Sequence, residues 1–337
     1  MHGQFVKEKN MDVRESILEC IGNTPMIRLN RITKDVSANI LVKCEFLNPS
    51  GSMKDRMALR MIESAEKEGK LKEGGIVTES STGNTATALS FVSAAKGYKS
   101  VMHMPKGWIP DDKRKMLTSY GAEVVEVDPG NEIHQELEGK SVHGGVVEII
   151  PRIRALKLEE ENENVWWARQ AMNPDNVLAH KETTGREIIE QTDGKVDAFV
   201  CAVGTGGTLL GVSEALLEVN PEVKIYAVEP ASSSLLQMAP EIKFYMEKYG
   251  VPGVTGLILN KIEESGILEK AFLVEDEDAV FMARRLCQEE GLFCGMSAGA
   301  NVHVCLEIAK ELGPGKNVVT ILADNRYRYL FSEHFTT

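Results

Sequence analysis

Short apolar runs alternate with stretches of helical spacing along this chain, and that alternation constrains its fold more than any other feature. The runs at 40–46, 75–78, 100–103, 123–127, 196–203, 224–228 and 318–322 each carry Val or Ile and read as strands. The stretches at 56–68, 85–96, 111–120, 181–192, 208–218, 276–290 and 300–312 read as helices, with Asp276 the expected N-cap of one and Gly291 its stop. Strands that alternate with helices pair in parallel, because a parallel connection must cross the sheet and a helix is the usual crossover. The expected fold class is therefore α/β, with mostly parallel sheets covered by helices.

A chain of 337 residues suits one large or two medium domains. Its net charge of −12 disfavours general binding to nucleic acid or to an anionic membrane. No apolar run approaches the ~20 residues of a membrane span. Residues 1–10 lack the apolar stretch of a signal peptide, so a cytoplasmic protein is expected. Cys44 and Cys201 lie in apolar runs and read as small core residues; Cys294, ahead of a glycine-rich turn, is the one to watch. No CxxC pair or other metal-ligand spacing is present, so no metal site is expected. The acidic stretch 156–164 reads as a solvated face or a crossing loop between domains, and 243–262 as an irregular flap.

Chemistry concentrates in turns ahead of helices. In Asn48-Pro49-Ser50-Gly51-Ser52-Met53-Lys54-Asp55-Arg56, small turn-forming residues place the Lys54 amine at a helix start, beside Arg56. Both neighbours favour a neutral amine, which a Schiff-base lysine needs. Taken alone, the run reads more readily as a solvated lysine behind a loop, since most lysines are solvated. The turn Glu79-Ser80-Ser81-Thr82-Gly83-Asn84-Thr85-Ala86 offers backbone N–H groups, hydroxyls and an amide, which together make a carboxylate receptor. A simple helix cap needs only one such residue. The turn Gly204-Thr205-Gly206-Gly207-Thr208 follows an apolar strand and suits a phosphate at a helix N-terminus. With Glu229 downstream, it is also compatible with a dinucleotide site. In Gly295-Met296-Ser297-Ala298-Gly299, Ser297 reads equally as an N-cap; the formal GxSxG match lacks the Asp-then-His order of a hydrolase.

Taken together, these residues resemble the cysteine synthase and cystathionine β-synthase family, pyridoxal-phosphate enzymes of the tryptophan-synthase-β fold type. The resemblance includes Ile21-Gly22-Asn23-Thr24-Pro25-Met26-Ile27-Arg28-Leu29, the Lys54 run, Ser81 to Thr85, Gln170-Ala171-Met172-Asn173-Pro174, Gly204 to Thr208, Ala227-Val228-Glu229-Pro230 and Gly291 to Gly299. It implies two three-layer α/β domains (fold type II) with pyridoxal 5′-phosphate in the cleft between them. The smaller would span 48–151 and the larger 1–47 plus 152–337. It implies that Lys54 holds the cofactor aldehyde and shuttles the Cα proton, and that Asn84 bonds the cofactor's 3′-oxygen. Gly204, Thr205, Gly206, Gly207 and Thr208 would cradle the phosphate, and Ser297 would face the pyridine nitrogen. Ser81, Thr82, Thr85 and Gln170 would bind the substrate carboxylate.

The implied activity is β-replacement on an activated serine, O-acetylserine or O-phosphoserine in class, by sulfide or a thiol through an aminoacrylate. The alternatives are a lyase releasing sulfide or ammonia from cysteine or serine, and a regulatory homologue without turnover. A homodimer is implied, with the N-terminal arm and Trp166-Trp167 as candidate interface residues. Three departures from the family pattern bear on substrate choice: Ala86 in place of a glycine, the segment Gly253-Val254-Thr255-Gly256-Leu257-Ile258-Leu259, and the ending Asp324-Asn325-Arg326-Tyr327-Arg328-Tyr329-Leu330.

Overall fold

Two sheets organise the computed structural model, which describes residues 13–128, 148–248, 250–251, 257–330 and 335. In chain order the strands are β1 (Met26–Arg28), β2 (Asn39–Lys43), β3 (Ile76–Ser80), β4 (Lys99–Pro105), β5 (Glu123–Val127), β6 (Val165–Trp167), β7 (Ala198–Ala202), β8 (Lys224–Pro230), β9 (Leu268–Val274) and β10 (Asn317–Ile321). The α-helices are α1 (Lys54–Lys67), α2 (Asn84–Lys96), α3 (Asp111–Ser119), α4 (Ile149–Glu161), α5 (Pro174–Ala179), α6 (Arg186–Thr192), α7 (Gly207–Val219), α8 (Leu235–Lys248), α9 (Ile258–Ser265), α10 (Asp276–Glu290) and α11 (Met296–Leu312). Among the described residues, one sheet has six strands in the order β1-β2-β10-β7-β8-β9 and the other has four in the order β5-β4-β3-β6. Between the strands named here, every pairing among the described residues is parallel except that of β1 with β2.

The interior strand β7 is apolar throughout because helices cover both faces of its sheet. In β7, Ala198 and Val200 join Ala279 and Val302 of α10 and α11, while Phe199 and Cys201 join Leu209 and Leu216 of α7. The four-stranded sheet is covered alike. Val77 and Met102 pack with Met57 and Leu89 of α1 and α2; Trp167 packs with Ile149 and Leu156 of α4. Each sheet is thus the middle of three layers, as expected for the α/β class.

The sequence expectations failed at edges and in interrupted helices. The strands β1 and β6 have 3 residues each, too few to show a period. The edge strand β9 buries only Val274 fully. Pro240 lies inside α8 and breaks its pattern, so α8 and α9 stand where an irregular flap was expected. Residues 249 and 252–256 of that stretch lie outside the described residues. The acidic stretch is the last turn of α4. Glu159 turns inward there, accepting from the Trp167 backbone N–H at 2.9 Å and from Arg169 Nη1 at 3.0 Å. The cap of α10 is Glu275, without a side-chain cap bond, and not Asp276; Gly291 ends the helix in the left-handed region at φ 73°. Trp166 and Trp167 are core residues on opposite faces of β6, so neither offers a surface to a partner. The N-terminal arm before residue 13 lies outside the described residues. The boundary expected at 151 falls within α4, and β6 of the same sheet lies beyond it.

Candidate active site

Ligands of parallel sheets gather at the carboxyl ends of the strands. Here the turns after β2, β3, β7 and β10 lead to Lys54, Ser81, Gly204 and Asp324 respectively. Because β10 lies between β2 and β7, the chain after it comes against the Lys54 turn. Met53 N–H donates to the Ala323 carbonyl at 2.9 Å and Asn325 N–H to the Gly51 carbonyl at 3.0 Å.

Lys54 is the first residue of α1. Burial lowers its amine to about 8, while Asp324 and Cys201 pull it the other way. The neutral amine expected from the sequence is thus favoured, but for another reason than proximity to Arg56. The Arg56 guanidinium turns away, donating to Glu45 from Nε and Nη2 at 2.7 Å each and to Glu187 from Nη1 at 2.6 Å.

After β3 the chain passes Ser81, Thr82 and Gly83 and enters α2 at Asn84. Asn84 Nδ2 donates to Asp324 Oδ2 at 2.6 Å, and the Tyr329 hydroxyl donates to the same oxygen. The second oxygen, Asp324 Oδ1, is buried without a hydrogen-bond partner, and burial pushes this carboxyl up. Thr85 Oγ1 donates to Gln170 Oε1 at 2.6 Å, so these two expected carboxylate binders meet. Gln170 is fixed from behind: its N–H donates to Glu79 Oε2 at 2.7 Å.

In the turn after β7, Gly206 caps α7 at φ 86°, a conformation that L side chains rarely adopt. A Cβ at Gly207 would stand 2.2 Å from Asn176 Oδ1. Asn176 in turn ties the loop together, its Nδ2 donating to Gln170 O at 2.8 Å and to Thr205 Oγ1 at 2.9 Å. The Thr208 hydroxyl meets His180 Nε2 at 3.1 Å, and His180 Nδ1 meets Thr184 Oγ1 at 2.9 Å. Burial lowers this imidazole to about 3, so it stays neutral and holds the threonine as a dipole. Gly207→Ala is expected to displace Asn176 and open the loop. Overpacking of this kind costs about 1–3 kcal/mol, and its readout is weaker retention of cofactor on dialysis.

Ser297 is the second residue of α11, whose cap is Gly295, so the hydroxyl does not serve as the N-cap. It lines a cavity of about 240 Å³ with Val203 and Pro230. A second cavity, of about 260 Å³, is lined by Lys54, Ser81, Thr82, Gly83, Gln170, Gly204 and Thr205, among others. The Glu229 carboxylate is consumed by α8, accepting from Ser234 Oγ at 2.6 Å and from Leu236 N–H at 2.9 Å, which leaves a ribose without its acidic partner. Cys294 is buried, and its thiol is pushed up to about 12, so it is not a reactive group.

A family model described as "pyridoxal-phosphate dependent enzyme" matches residues 17–324. The chain belongs to that family. This pyridoxal-phosphate enzyme is 39% identical over 317 residues to cysteine synthase of Staphylococcus aureus, covering 94% of this chain and 95% of that protein. Its structure is similar to O-acetylserine sulfhydrylase isoform 3 from Entamoeba histolytica, with a TM-score of 0.80 and 32% identity over 100% of this chain and 95% of the other. It is also similar to a hydrogen sulfide-producing enzyme from Fusobacterium nucleatum, with a TM-score of 0.79 and 30% identity over 95% and 99%. It is an enzyme of the cysteine synthase type.

The residues present fit the cofactor. The space beside Gly204, in the turn that leads into α7, is open: an added Cβ there would meet nothing within 4 Å, and the first N–H groups of a helix have no partner within it. The desolvated Lys54 amine and the buried Gln170 amide line one cavity with that turn.

Sequence reasoning missed Asp324 as the partner of Asn84, Asn176 and His180 as supports of the phosphate turn, and Glu148 and Arg152 as cavity residues. For Asp324 a signal existed, since it follows an interior strand at the same sheet edge as Lys54 and Gly204. Ala86, expected to bear on substrate choice, packs fully buried in the apolar layer with Met57 and Leu89. Of the segment 253–259, Leu257 and Leu259 do line the cavity.

Proposed function

We propose that this enzyme catalyses β-replacement on an activated L-serine, of the O-acetyl or O-phospho class, with sulfide or a thiol, giving cysteine or a related amino acid. The observation that carries the reading is the cavity of about 260 Å³ that brings Lys54 together with Ser81, Thr82, Gln170 and the Gly204 turn. Pyridoxal phosphate, when bound, supplies the electron sink that lets the Cα proton and the β-substituent leave. Lys54 would hold the cofactor's aldehyde carbon, and its amine would move the Cα proton. Asn84, oriented by Asp324, bonds the 3′-oxygen. The backbone of Gly204, Thr205, Gly206, Gly207 and Thr208 holds the phosphate at the N-terminus of α7. Ser297 faces the pyridine nitrogen. Ser81, Thr82, Thr85 and Gln170 orient the substrate carboxylate, which sets the Cα–H bond toward the amine. The similarity to cysteine synthase and to O-acetylserine sulfhydrylase supports this reading.

The test is cysteine formation from O-acetylserine or O-phosphoserine with sulfide. Absence of turnover with both sinks the proposal. The similarity to a hydrogen sulfide-producing enzyme favours a second reading, a lyase acting on cysteine. Sulfide release from cysteine, with activated serines inert, would put it first. A homodimer belongs to the proposal, and a monomer mass by light scattering would remove it.

With the Lys54 amine lowered to about 8, its neutral fraction grows as pH rises toward and past that value. Capture of added pyridoxal phosphate by the apoprotein should accelerate roughly tenfold per pH unit below 8 and level off above it. Stopped-flow absorbance checks this, and a rate independent of pH between 6 and 9 contradicts it.

A further inference from the structure

The far side of α4 faces another cavity, which the Lys54 site does not use. Arg154, Lys157, Leu158 and Glu161 line about 430 Å³ there, together with His103 of β4 and the end of β5 from Val125 to Asp128. The α4 residues are spaced i, i+3, i+4 and i+7, which is one face of a helix. Arg152, in the Lys54 cavity, precedes Arg154 by two positions and so lies on the opposite side of α4. The two cavities share no lining residue.

His103 is the residue that packing does not account for. It sits in the interior strand β4, beside Ser80 of β3 and Val125 of β5, and is 5% exposed. Neither ring nitrogen has a hydrogen-bond partner. Burial and the charge of Arg154 lower this imidazole to about 4, so at neutral pH it carries one N–H and one bare nitrogen. A buried N–H without an acceptor is costly, and native proteins rarely leave one. The cations above it are also unused. Ion pairs at α4 engage Arg152 with Glu148 and Glu159 with Arg169, which leaves Arg154 and Lys157 without one among the described residues. Glu126, by contrast, is taken by Arg114.

These groups define an occupant. The imidazole N–H wants an acceptor, and two cations favour a negative one. Val125, Val127 and Leu158 offer an apolar wall to a short hydrocarbon body. Asp128 and Glu161 line the same cavity and repel a doubly charged phosphate more than a single carboxylate. The volume is within the range of small-molecule sites. We infer that the cavity between α4 and the β4–β5 edge binds a small monocarboxylate with an apolar body, its carboxylate held by Arg154, Lys157 and the His103 N–H. The site stands apart from the proposed β-replacement and does not depend on it.

The experiment uses holoenzyme carrying 13Cε1-labelled histidine, titrated with butyrate, butyramide and inorganic phosphate at constant ionic strength. The His103 resonance, identified by its loss in His103→Gln, should shift saturably with butyrate and not with butyramide. Arg154→Gln and Lys157→Gln replace exposed side chains, so both should fold. Each should weaken butyrate binding about tenfold, as expected for a lost hydrogen bond to a charged group. Should His103→Gln fail to fold, calorimetric titration of the parent against Arg154→Gln carries the same comparison. Butyrate that enters the Lys54 cavity instead would change the visible spectrum of the cofactor and leave its affinity unaltered in both variants. That result overturns the inference. So does a His103 resonance that does not respond, one that responds equally to butyramide, or one that responds more strongly to phosphate. None of these outcomes bears on β-replacement, and failure of turnover with activated serines leaves this site standing.

Discussion

Lys54→Ala should abolish turnover, with a loss of at least roughly 10³-fold, because one side chain both anchors the cofactor and moves the proton. The visible absorbance of bound cofactor should be lost with it. The variant should nevertheless remain folded, and the sign of its stability change separates chemistry from unfolding. In the apoprotein the Lys54 amine is lowered by burial from 10.5 to about 8. Between those values the unfolded chain binds the proton more readily, so this group makes stability rise with pH across that window. Below pH 8 it costs the folded apoprotein on the order of 3 kcal/mol. Alanine removes the cost, so apo Lys54→Ala should be no less stable than the parent apoprotein at pH 7 in urea. Retained cofactor colour with retained turnover would remove Lys54 from the mechanism.

The largest stability effect is expected behind that lysine, at Arg56. Its guanidinium holds the Glu45 carboxylate with two bonds of 2.7 Å and the Glu187 carboxylate at 2.6 Å. Glu45 also accepts from Thr24 Oγ1 at 2.6 Å and Asn48 Nδ2 at 2.9 Å, and Lys43 Nζ lies 2.7 Å from Glu187. The network joins the end of β2, the start of α1 and α6. Removing one partner strands a buried charge, so Arg56→Ala should destabilise by about 3–5 kcal/mol. The paired change Glu45→Leu with Arg56→Met removes both charges and should cost less than Arg56→Ala alone. Denaturant midpoints of the variants decide this, and equal losses would mean that the ion pair itself, not the stranded charge, carries the effect. Burial pushes the Glu187 carboxyl up, but Arg56 and Lys43 outweigh it and hold it at about 2. Its contribution is therefore present in full above about pH 4.5, the ordinary range of a glutamate. It should fade as pH falls toward 2, so acid unfolding of the parent should be steeper than that of the paired variant.

Where the sequence could be read, a local cause made it legible. The strand at 196–203 was visible because burial on both faces leaves an almost continuous apolar run. Lys54, the hydroxyl-rich turn and the glycine turn were visible because a helix N-terminus demands particular residues within a few positions. The strands β1, β6 and β9 were not, since short and edge strands impose little periodicity. The helix α8 was hidden by Pro240. The burial of Ala86 was hidden because one residue in a helix start does not show which face it presents.

The chain by itself determined the α/β class, the helix starts that present Lys54, Asn84 and Gly207, and the resemblance that relates them to one cofactor. These rest on interactions among neighbours in sequence, where residue type and spacing are the cause. The tertiary structure decided that Asp324 meets Asn84 across 240 residues, that His180 holds Thr208, and that Glu148 and Arg152 face the cavity of Lys54. Such contacts follow from strand order, β10 lying between β2 and β7, and from how helices pack on the sheets. Strand order is set by the sum of many weak packing energies, which no short window of sequence contains.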